Sequence, residues 1–207
     1  IGKTLAIHGG NRYFKAVDNT EIFVEGFPAP PTLVLIGGGH VNRAVSRLAS
    51  LLGFRMYAVD DRVEFANKER FPEAETRVIS DYSRGLENVS VNSNTYIVVA
   101  TRGHRYDDLA LGAAIRTPAR YIGLLGSKRK TLEIYKNLLK KKVPPERLRE
   151  VYAPIGLNIG AITPEELAVS IMAEIIMVRN GGTGMSMKMN TANLNTLMKH
   201  EDPDQAL

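Results

Sequence analysis

The chain has 207 residues, of which 44% are hydrophobic, and this is enough for one main globular domain with a sizeable core. It contains no cysteine, which excludes disulfides, thiolate zinc sites, iron–sulfur ligation and a persulfide carried on this polypeptide. No apolar run approaches the roughly 18 residues that a membrane helix needs, and no signal-peptide pattern follows Ile1. We therefore expect a cytoplasmic protein that does not enter a membrane.

The net charge of +5 is concentrated in one segment. Lys128–Glu150 holds nine basic and three acidic residues, which gives it a local charge of +6. Such a face can attract an acidic partner or a phosphorylated ligand, although most charged runs are solvated helix surface. Aromatic residues are not interleaved with the basic ones and no nucleic-acid-binding motif occurs, so no nucleic-acid partner is expected.

The start of the chain predicts a short β segment. Lys3–Ile7 and Glu21–Val24 have the pattern of strands, and the polar turn His8–Asn11 separates them. Prolines at positions 28, 30 and 31 predict a stiff linker to the rest of the chain.

A glycine-rich turn follows the first strongly apolar run. Leu33–Ile36 is typical of a strand that is buried on both faces of a parallel sheet. The three glycines after it allow a tight strand-to-helix turn and close approach of a ligand, and the free N–H groups of the next helix favour phosphate or another anion. The candidate ligand-binding residues of this turn are Gly37, Gly38, Gly39, His40 and Val41. The predicted apolar face of the helix consists of Val41, Val45, Leu48, Leu51 and Leu52.

The next strand, Met56–Val59, ends on two carboxylates. Asp60 stands 21 positions after Gly39, where a dinucleotide-binding fold places the acid that accepts from a ribose hydroxyl. Asn42 replaces the third glycine of the Gly-x-Gly-x-x-Gly fingerprint, so we expect the helix to lie less close to the strand. Strand, turn, helix, strand and acid together predict a Rossmann-type unit, and the alternative is a glycine-rich turn that binds nothing. The candidate binding residues at this strand end are Asp60, Asp61 and Arg62.

Strands and helices continue to alternate after this unit. The predicted order is a helix near Arg62–Arg70, a strand at Arg77–Ile79, a strand at Tyr96–Ala100, a helix from Tyr106, a strand at Arg120–Leu124 and a helix from Ser127. This pattern predicts an α/β fold with a doubly wound, mainly parallel, Rossmann-like sheet after the short N-terminal β segment. We divide the chain into a β segment with linker (1–31), a Rossmann-like domain (32–181) and a polar tail (182–207).

Three loops follow predicted strands and should therefore share one crevice at the carboxyl ends of the strands. They are GGGH (37–40), TRGH (101–104) and GSKRK (126–130). In the second loop the candidate residues are Thr101, Arg102 and His104. A guanidinium and an imidazole there suit an anionic ligand, and His104 can exchange a proton near neutral pH. The alternative is that His104 and Asp107 only start the next helix. Two histidines from two strand ends can also hold a metal together with Asp60 or Asp107, but no fixed ligand spacing supports this and no metal site is expected.

The third loop places cations where a helix begins. Ser127 is the predicted N-cap, and basic residues occupy the first turn. Cations are unfavourable at a helix N-terminus unless an anion is bound there, which favours a ligand phosphate over a purely structural role. The candidate binding residues here are Gly126, Ser127, Lys128 and Arg129.

The last predicted element is an apolar helix. Thr163 and Glu166 form a capping box with Pro164 at the first helical position, and Gly181 follows the end of the helix. Apolar residues cover most of its circumference, which predicts burial within its own domain, with a contact to a second copy as the alternative. Beyond position 182 the chain is polar and methionine-rich, and we expect a loosely ordered tail.

Five motifs in this order resemble the C-terminal domain of the XdhC/CoxI family, the accessory factors of xanthine dehydrogenase and carbon monoxide dehydrogenase. They are GGGHVNRAVSRLASLLGF, VDDRVEFANKERFPEA, ATRGHRYDDLAL, YIGLLGSKRK and APIGLNIGAITPEELAVSIMAEII, and the similarity covers Phe27 to about Gly181. Ile1–Gly26 resembles only the end of the family's N-terminal domain. Two positions depart from the family pattern, Asn42 where glycine is usual and Asn158 where aspartate is usual.

The resemblance implies a maturation factor that binds molybdenum cofactor (molybdopterin), protects it while it receives its terminal sulfur, and delivers it to a molybdenum hydroxylase such as xanthine dehydrogenase. It also implies a homodimer. Because this chain has no cysteine, a separate cysteine desulfurase would have to supply the sulfur.

Two other functions compete with this one. A nicotinamide-dependent oxidoreductase fits the glycine turn and Asp60, but the chain has no evident substrate domain and no Tyr-x-x-x-Lys pair. A nucleotide-sensing module would use the same fold without catalysis. If a dinucleotide binds, Asp60 predicts NAD rather than NADP, because its carboxylate would repel a 2′-phosphate.

Overall fold

An antiparallel hairpin precedes the main sheet in the computed structural model, which describes residues 10–27 and 29–189. Strand β1 (Gly10–Lys15) pairs with strand β2 (Glu21–Gly26), and Tyr13 lies opposite Phe23. Strand β2 confirms the strand predicted at Glu21–Val24.

The turn of this hairpin lies further along the chain than predicted. The turn prediction at His8–Asn11 is wrong in its described part, because Asn11 already belongs to β1. The chain reverses where the Ala16 N–H donates to the Thr20 carbonyl at 2.9 Å and Asn19 adopts a φ of 64°. Asparagine tolerates this left-handed conformation, so Asn19 is the turn signal that the sequence analysis missed. The strand predicted at Lys3–Ile7 lies outside the described residues.

Five parallel strands form the main sheet. They lie in the order β5-β4-β3-β6-β7, so the chain starts in the middle, builds one half of the sheet and then returns to build the other. This order confirms the predicted doubly wound, mainly parallel, Rossmann-like fold. The strands are β3 (Thr32–Ile36), β4 (Arg55–Asp60), β5 (Glu75–Val78), β6 (Thr95–Val99) and β7 (Tyr121–Leu124).

Helices cover both faces of the sheet. They are α1 (His40–Leu51), α2 (His104–Ala114), α3 (Lys128–Lys140), α4 (Pro145–Arg149) and α5 (Pro164–Asn180). Leu33 and Leu35 of β3 pack with α1 and α5, whereas Val34 and Ile36 pack with α2 and α3. Burial on both faces explains why this strand is apolar at successive positions. Among the described helices, none is both long enough and apolar enough to cross a membrane.

The helix predicted near Arg62–Arg70 is wrong, because this segment is a series of turns. Asn67 is the physical reason: its Nδ2 donates to the Val63 carbonyl, and its Oδ1 accepts from the Arg70 N–H. Short polar side chains that bond to nearby backbone groups in this way compete with helix formation. The apolar face of α1 is also shorter than predicted, since the helix ends at Leu51 and both Leu51 and Leu52 are exposed.

Helix α5 begins and ends as the sequence predicts. Thr163 and Glu166 form the capping box, Pro164 is the first helical residue, and Gly181 ends the helix with a φ of 72°. The helix packs against α1, and its Ile171 and Ile175 are fully buried. The prediction of burial within its own domain is therefore confirmed, and a contact with a second copy stays a prediction.

Candidate functional site

The glycine turn and the TRGH loop meet at the carboxyl edge of the sheet. They follow β3 and β6, the two neighbouring strands from which the chain departs in opposite directions, and ligands of doubly wound sheets bind at this point. A Cβ atom built on Gly37 would lie 2.2 Å from the Ala100 carbonyl oxygen, and Gly37 has a φ of 103°. Only glycine fits here, because two backbone segments approach each other.

The backbone groups of the second glycine, Gly38, already have hydrogen-bond partners within the chain. The Gly38 N–H donates to Asp60 Oδ2 at 2.7 Å, and its carbonyl accepts from Arg70 Nε at 2.6 Å. A Cβ atom on Gly38 would lie 2.1 Å from the Phe65 carbonyl oxygen. Gly39 is different, because a Cβ atom there would meet nothing within 4 Å. Of the three predicted glycines, only Gly39 therefore faces open space.

Asp60 lies at the end of β4, as predicted, but both of its oxygens have partners within the chain. Arg62 Nε donates to Oδ1 at 3.0 Å, and the Gly38 N–H donates to Oδ2. Asp60 is 1% exposed, and the Arg62 guanidinium stacks 3.6 Å from the centre of the Phe65 ring. Burial alone would raise the pKa of the Asp60 carboxyl, but hydrogen bonds from Arg62 and Gly38 hold that pKa below its ordinary value.

Asp61 joins the strand β4 end to the TRGH loop. Its Oδ2 accepts from Arg102 Nη2 at 2.7 Å, and its Oδ1 accepts from the Tyr82 hydroxyl at 3.0 Å. Arg102 also lies over the Tyr106 ring. Burial, with Asp60 nearby, raises the pKa of the Tyr82 hydroxyl, which therefore stays protonated and acts as a donor. Arg102, predicted to bind an anion, is thus paired with a carboxylate of the chain.

Asp107 connects the TRGH and GSKRK loops. It is fully buried, and its Oδ1 accepts from the Thr101 N–H at 3.0 Å and from the Thr101 hydroxyl at 2.7 Å. Its Oδ2 forms an ion pair with Lys130. Sequence reasoning considered Asp107 as a possible helix start and as a possible metal ligand, and it missed this role. Helix α2 does begin at His104, whose side chain lies outside the described residues, so its proton exchange stays a prediction.

The open, cationic part of the site consists of two helix N-termini. Helix α1 has no side-chain cap and no acidic residue in its first turn, and its His40 is exposed while Val41 is half-buried. Ser127 caps α3 by accepting from the Lys130 N–H at 3.2 Å. Lys128 and Arg129 follow in the exposed first turn of α3 next to half-buried Gly126, and Arg129 contacts Glu133 at 3.6 Å.

Asn42 stands at the third glycine position of the fingerprint, and its side chain hydrogen-bonds to the glycine turn. It is fully buried, and its Nδ2 donates to the Gly37 carbonyl at 2.7 Å and to the Ile36 carbonyl at 3.2 Å. Sequence reasoning treated this residue as a departure that moves the helix away from the strand. The structure adds that the amide itself bridges helix and strand end.

A fourth loop, which sequence reasoning did not place, reaches the same edge of the sheet. Tyr152 forms an isolated parallel bridge with Gly123 of β7, and the Ile155 N–H donates to the Leu124 carbonyl, so the loop 156–163 follows at the carboxyl edge. Glu174 of α5 holds this loop, because its Oε2 accepts from the Tyr121 hydroxyl at 2.6 Å and from the Gly156 N–H at 3.0 Å. The motif APIGLNIGAITPEE is the sequence signal that could have located this loop.

No group of three or more histidine, aspartate or glutamate side chains converges as a metal site within the part of the chain that the structure describes.

Comparison with known proteins gives consistent matches. Residues 33–175 match the XdhC Rossmann domain. The chain is 37% identical over 165 residues to the uncharacterized protein YqeB of Escherichia coli K12, and the match covers 79% of this chain and 30% of that protein. It is 34% identical over 160 residues to a probable xanthine dehydrogenase subunit of Bacillus subtilis 168, with coverages of 77% and 46%.

A solved structure agrees with these matches. The crystal structure of a xanthine dehydrogenase from Bacillus halodurans has a TM-score of 0.66 and 27% identity, and covers 81% of this chain and 50% of that one. The chain thus spans half or less of the length of these relatives. Since the domain match covers more than half of the chain and the sheet has the corresponding Rossmann order, the chain belongs to the XdhC family.

Proposed function

We propose that this protein is a maturation factor that binds molybdenum cofactor, assists its sulfuration and inserts it into a xanthine dehydrogenase-like enzyme. Membership of the XdhC family supports an accessory role, as do relatives whose names refer to xanthine dehydrogenase. The observation that carries the binding step is the pair of solvent-exposed helix N-termini: α1 has no side-chain cap, and α3, which Ser127 caps, carries Lys128 and Arg129 in its first turn.

The residues of this edge fit the chemistry of the cofactor. Molybdopterin carries a phosphate and an anionic metal head, and the first N–H groups of α1 together with Lys128 and Arg129 offer donors and positive charge. Arg62 and Arg102 already pair with Asp60 and Asp61 and stabilise the crevice, so we assign the main contacts to the cofactor phosphate to the first turns of α1 and α3. The cofactor supplies its hydroxylation chemistry in the client enzyme, and this chain holds and shields it.

The sulfuration step requires a sulfur donor outside this chain. The chain has no cysteine on which to carry a persulfide, so a cysteine desulfurase is the proposed partner. A homodimer is the proposed assembly, and the exposed Val169 is one apolar residue of α5 that is available for a contact.

A nicotinamide-binding role is the second candidate, favoured by the strand order and by Asp60 at the end of β4. The contacts of Asp60 weigh against it, because both oxygens that would accept from ribose hydroxyls are paired with Gly38 and Arg62.

The test is to purify the 207-residue chain without oxygen from cells that make molybdenum cofactor and to weigh the bound small molecule by native mass spectrometry. A molybdopterin mass supports the proposal. A dinucleotide that pterin does not displace overturns it in favour of the second candidate, and a chain that carries neither, even with cofactor in excess, also overturns it.

Charge-reversal variants identify the binding edge. Lys128→Glu with Arg129→Glu should weaken cofactor binding roughly tenfold or more, because charge-assisted hydrogen bonds are lost. Lys136→Glu with Lys140→Glu is the matched control, since it makes the same charge change in the exposed remainder of α3. Equal affinity of the two double variants would limit GSKRK to a structural role.

A further inference from the structure

The chain beyond α5 exposes a cluster of methionines. Four of the seven methionines in the chain lie between positions 177 and 189. Met185, Met187 and Met189 are 79%, 100% and 57% exposed. Burial of a methionine side chain stabilises a protein by about 1.5–3 kcal/mol, so the isolated chain forgoes this stabilisation at three alternate positions. Their side chains are available to bind a ligand or a surface.

A fourth sulfur lies where this segment begins. A Cβ atom built on Gly184 would be 3.0 Å from Met177 Sδ, so the thioether of the last turn of α5 contacts the backbone just before Met185. The Gly182 N–H donates to the Met177 carbonyl at 2.9 Å and holds the segment against the helix. Gly184 turns the chain there with a φ of 70°. These contacts hold the start of the segment that carries the exposed methionines against Met177.

The spacing suits a single soft metal ion. In extended chain, residues two apart point to the same side and lie about 7 Å from each other, so a modest bend brings their sulfurs around one ion. Thioethers are soft, uncharged ligands that select Cu(I). The chain has no cysteine that would compete as a thiolate. We propose that Met185, Met187 and Met189, with Met177 at the start of their segment, form a thioether site for Cu(I).

A second explanation of the same exposure is an apolar contact with another protein. The two explanations differ in what leucine does at these positions. Leucine keeps the size and hydrophobicity of methionine, so it would preserve an apolar contact, but it has no sulfur and would abolish metal binding. The site also does not depend on the proposed handling of molybdenum cofactor, because it uses none of the residues of the crevice.

The first test uses Ag(I), which has the same preference for soft ligands and does not change oxidation state. The chain is labelled with ¹³C at the methionine methyl groups and titrated with Ag(I). The methyl signals of Met185, Met187 and Met189 should shift together, and they should stop shifting once one equivalent of Ag(I) has been added. Met56 and Met172 are internal controls, because they are 3% and 2% exposed. Unshifted signals of the three exposed methionines overturn the proposal.

The second test measures Cu(I) affinity anaerobically in competition with a chromogenic chelator. Met185→Leu, Met187→Leu and Met189→Leu combined should weaken binding at least about tenfold, since the loss of ligands costs no less than the loss of their supporting contacts. Thioethers carry no proton to lose, so the affinity should be equal at about pH 5.5 and about pH 7.5, once the chelator's own pH dependence is subtracted. Retained binding in the leucine variant, or a loss at the lower pH that indicates histidine ligands, overturns the proposal.

Discussion

Arg62 donates from Nε to Asp60 Oδ1 at 3.0 Å, so the carboxylate that the sequence marks for a ribose is already paired with the residue two positions after it. The same guanidinium stacks on Phe65, whose carbonyl oxygen lies against Gly38. The segment after β4 thus covers the glycine turn. The crevice is left open mainly at Gly39 and at the first turn of α3.

Arg62→Ala should destabilise the fold at neutral pH by about 1.5–3 kcal/mol, because it removes a charged hydrogen bond from a buried carboxylate. The pKa of Asp60 lies below its ordinary value in the folded state, so the contribution is present above that value of 3.8 and is lost as pH falls through the folded-state pKa. The difference in unfolding free energy between wild type and variant should therefore be constant near pH 7 and shrink as pH falls below about 5. Urea unfolding across this range measures it.

Arg84→Ala is the matched control for this experiment. Arg84 pairs with Glu87 at 2.7 Å, but both side chains are more than half exposed, and such pairs contribute little. A loss of stability in Arg84→Ala equal to that in Arg62→Ala would contradict the importance of the buried contact.

Dinucleotide selectivity should also change when Arg62 is removed. Asp60 favours NAD, whereas an arginine at the end of the second strand can accommodate the 2′-phosphate of NADP. Arg62→Ala frees an oxygen of Asp60 and removes this cation, so the variant should bind NAD more tightly and NADP more weakly than wild type. Isothermal titration calorimetry with both dinucleotides measures the ratio. A ratio that does not change would mean that neither ligand reaches Asp60.

Asn42→Gly should destabilise the protein by about 2–4 kcal/mol, although it restores the usual glycine of the fingerprint. It removes the donor to the Gly37 carbonyl and places glycine inside α1. Asn42→Asp is the informative companion, because a carboxylate of the same shape cannot donate to the Gly37 and Ile36 carbonyls and should be worse at pH 7. Thermal unfolding compares the two, and a stable glycine variant would contradict the bridging role.

The features that could be predicted from the sequence arise from residues that lie close together along the chain. The capping box of α5 joins Thr163 to Glu166, three positions apart, and the apolar runs of the strands are continuous in the chain. The element order then follows from alternation, and parallel strands bring their carboxyl-end loops to one edge. For this reason the fold and the meeting of the three loops could be inferred from the sequence alone.

The contacts that shape the site could not be predicted in this way. Asp107 meets Lys130 only because α2 and α3 pack side by side, and no local pattern reports that. The segment after Asp60 looks helical by periodicity, but the Asn67 side chain bonds to backbone groups on both sides of it and favours turns. Whether a predicted cation is free or paired depends on such tertiary contacts, as Arg102 with Asp61 illustrates.

The fourth loop of the crevice should depend on the hydrogen bond from Tyr121 to Glu174. The two residues are 53 positions apart and both are buried, and the same carboxylate accepts from the Gly156 N–H of the loop. A double-mutant cycle with Tyr121→Phe and Glu174→Met, which has a similar size and no oxygen acceptor, should give a coupling of about 1–2 kcal/mol. A coupling near zero would mean that the loop is held by packing, mainly of Ile155 against Gly123.

The pH dependence of the same variants provides an independent check. Burial, and then the nearby Glu174 carboxylate, raise the pKa of the Tyr121 hydroxyl well above 10.0. A raised folded-state pKa stabilises the fold below the unfolded-state value, and this contribution is lost as pH rises above it towards the folded-state value. The stability advantage of wild type over Tyr121→Phe should therefore be full at about pH 8 and decline above about pH 10, where unfolded tyrosine ionises. Since every other titrating group is common to both proteins, a constant difference up to about pH 11 would contradict the buried, protonated state of Tyr121.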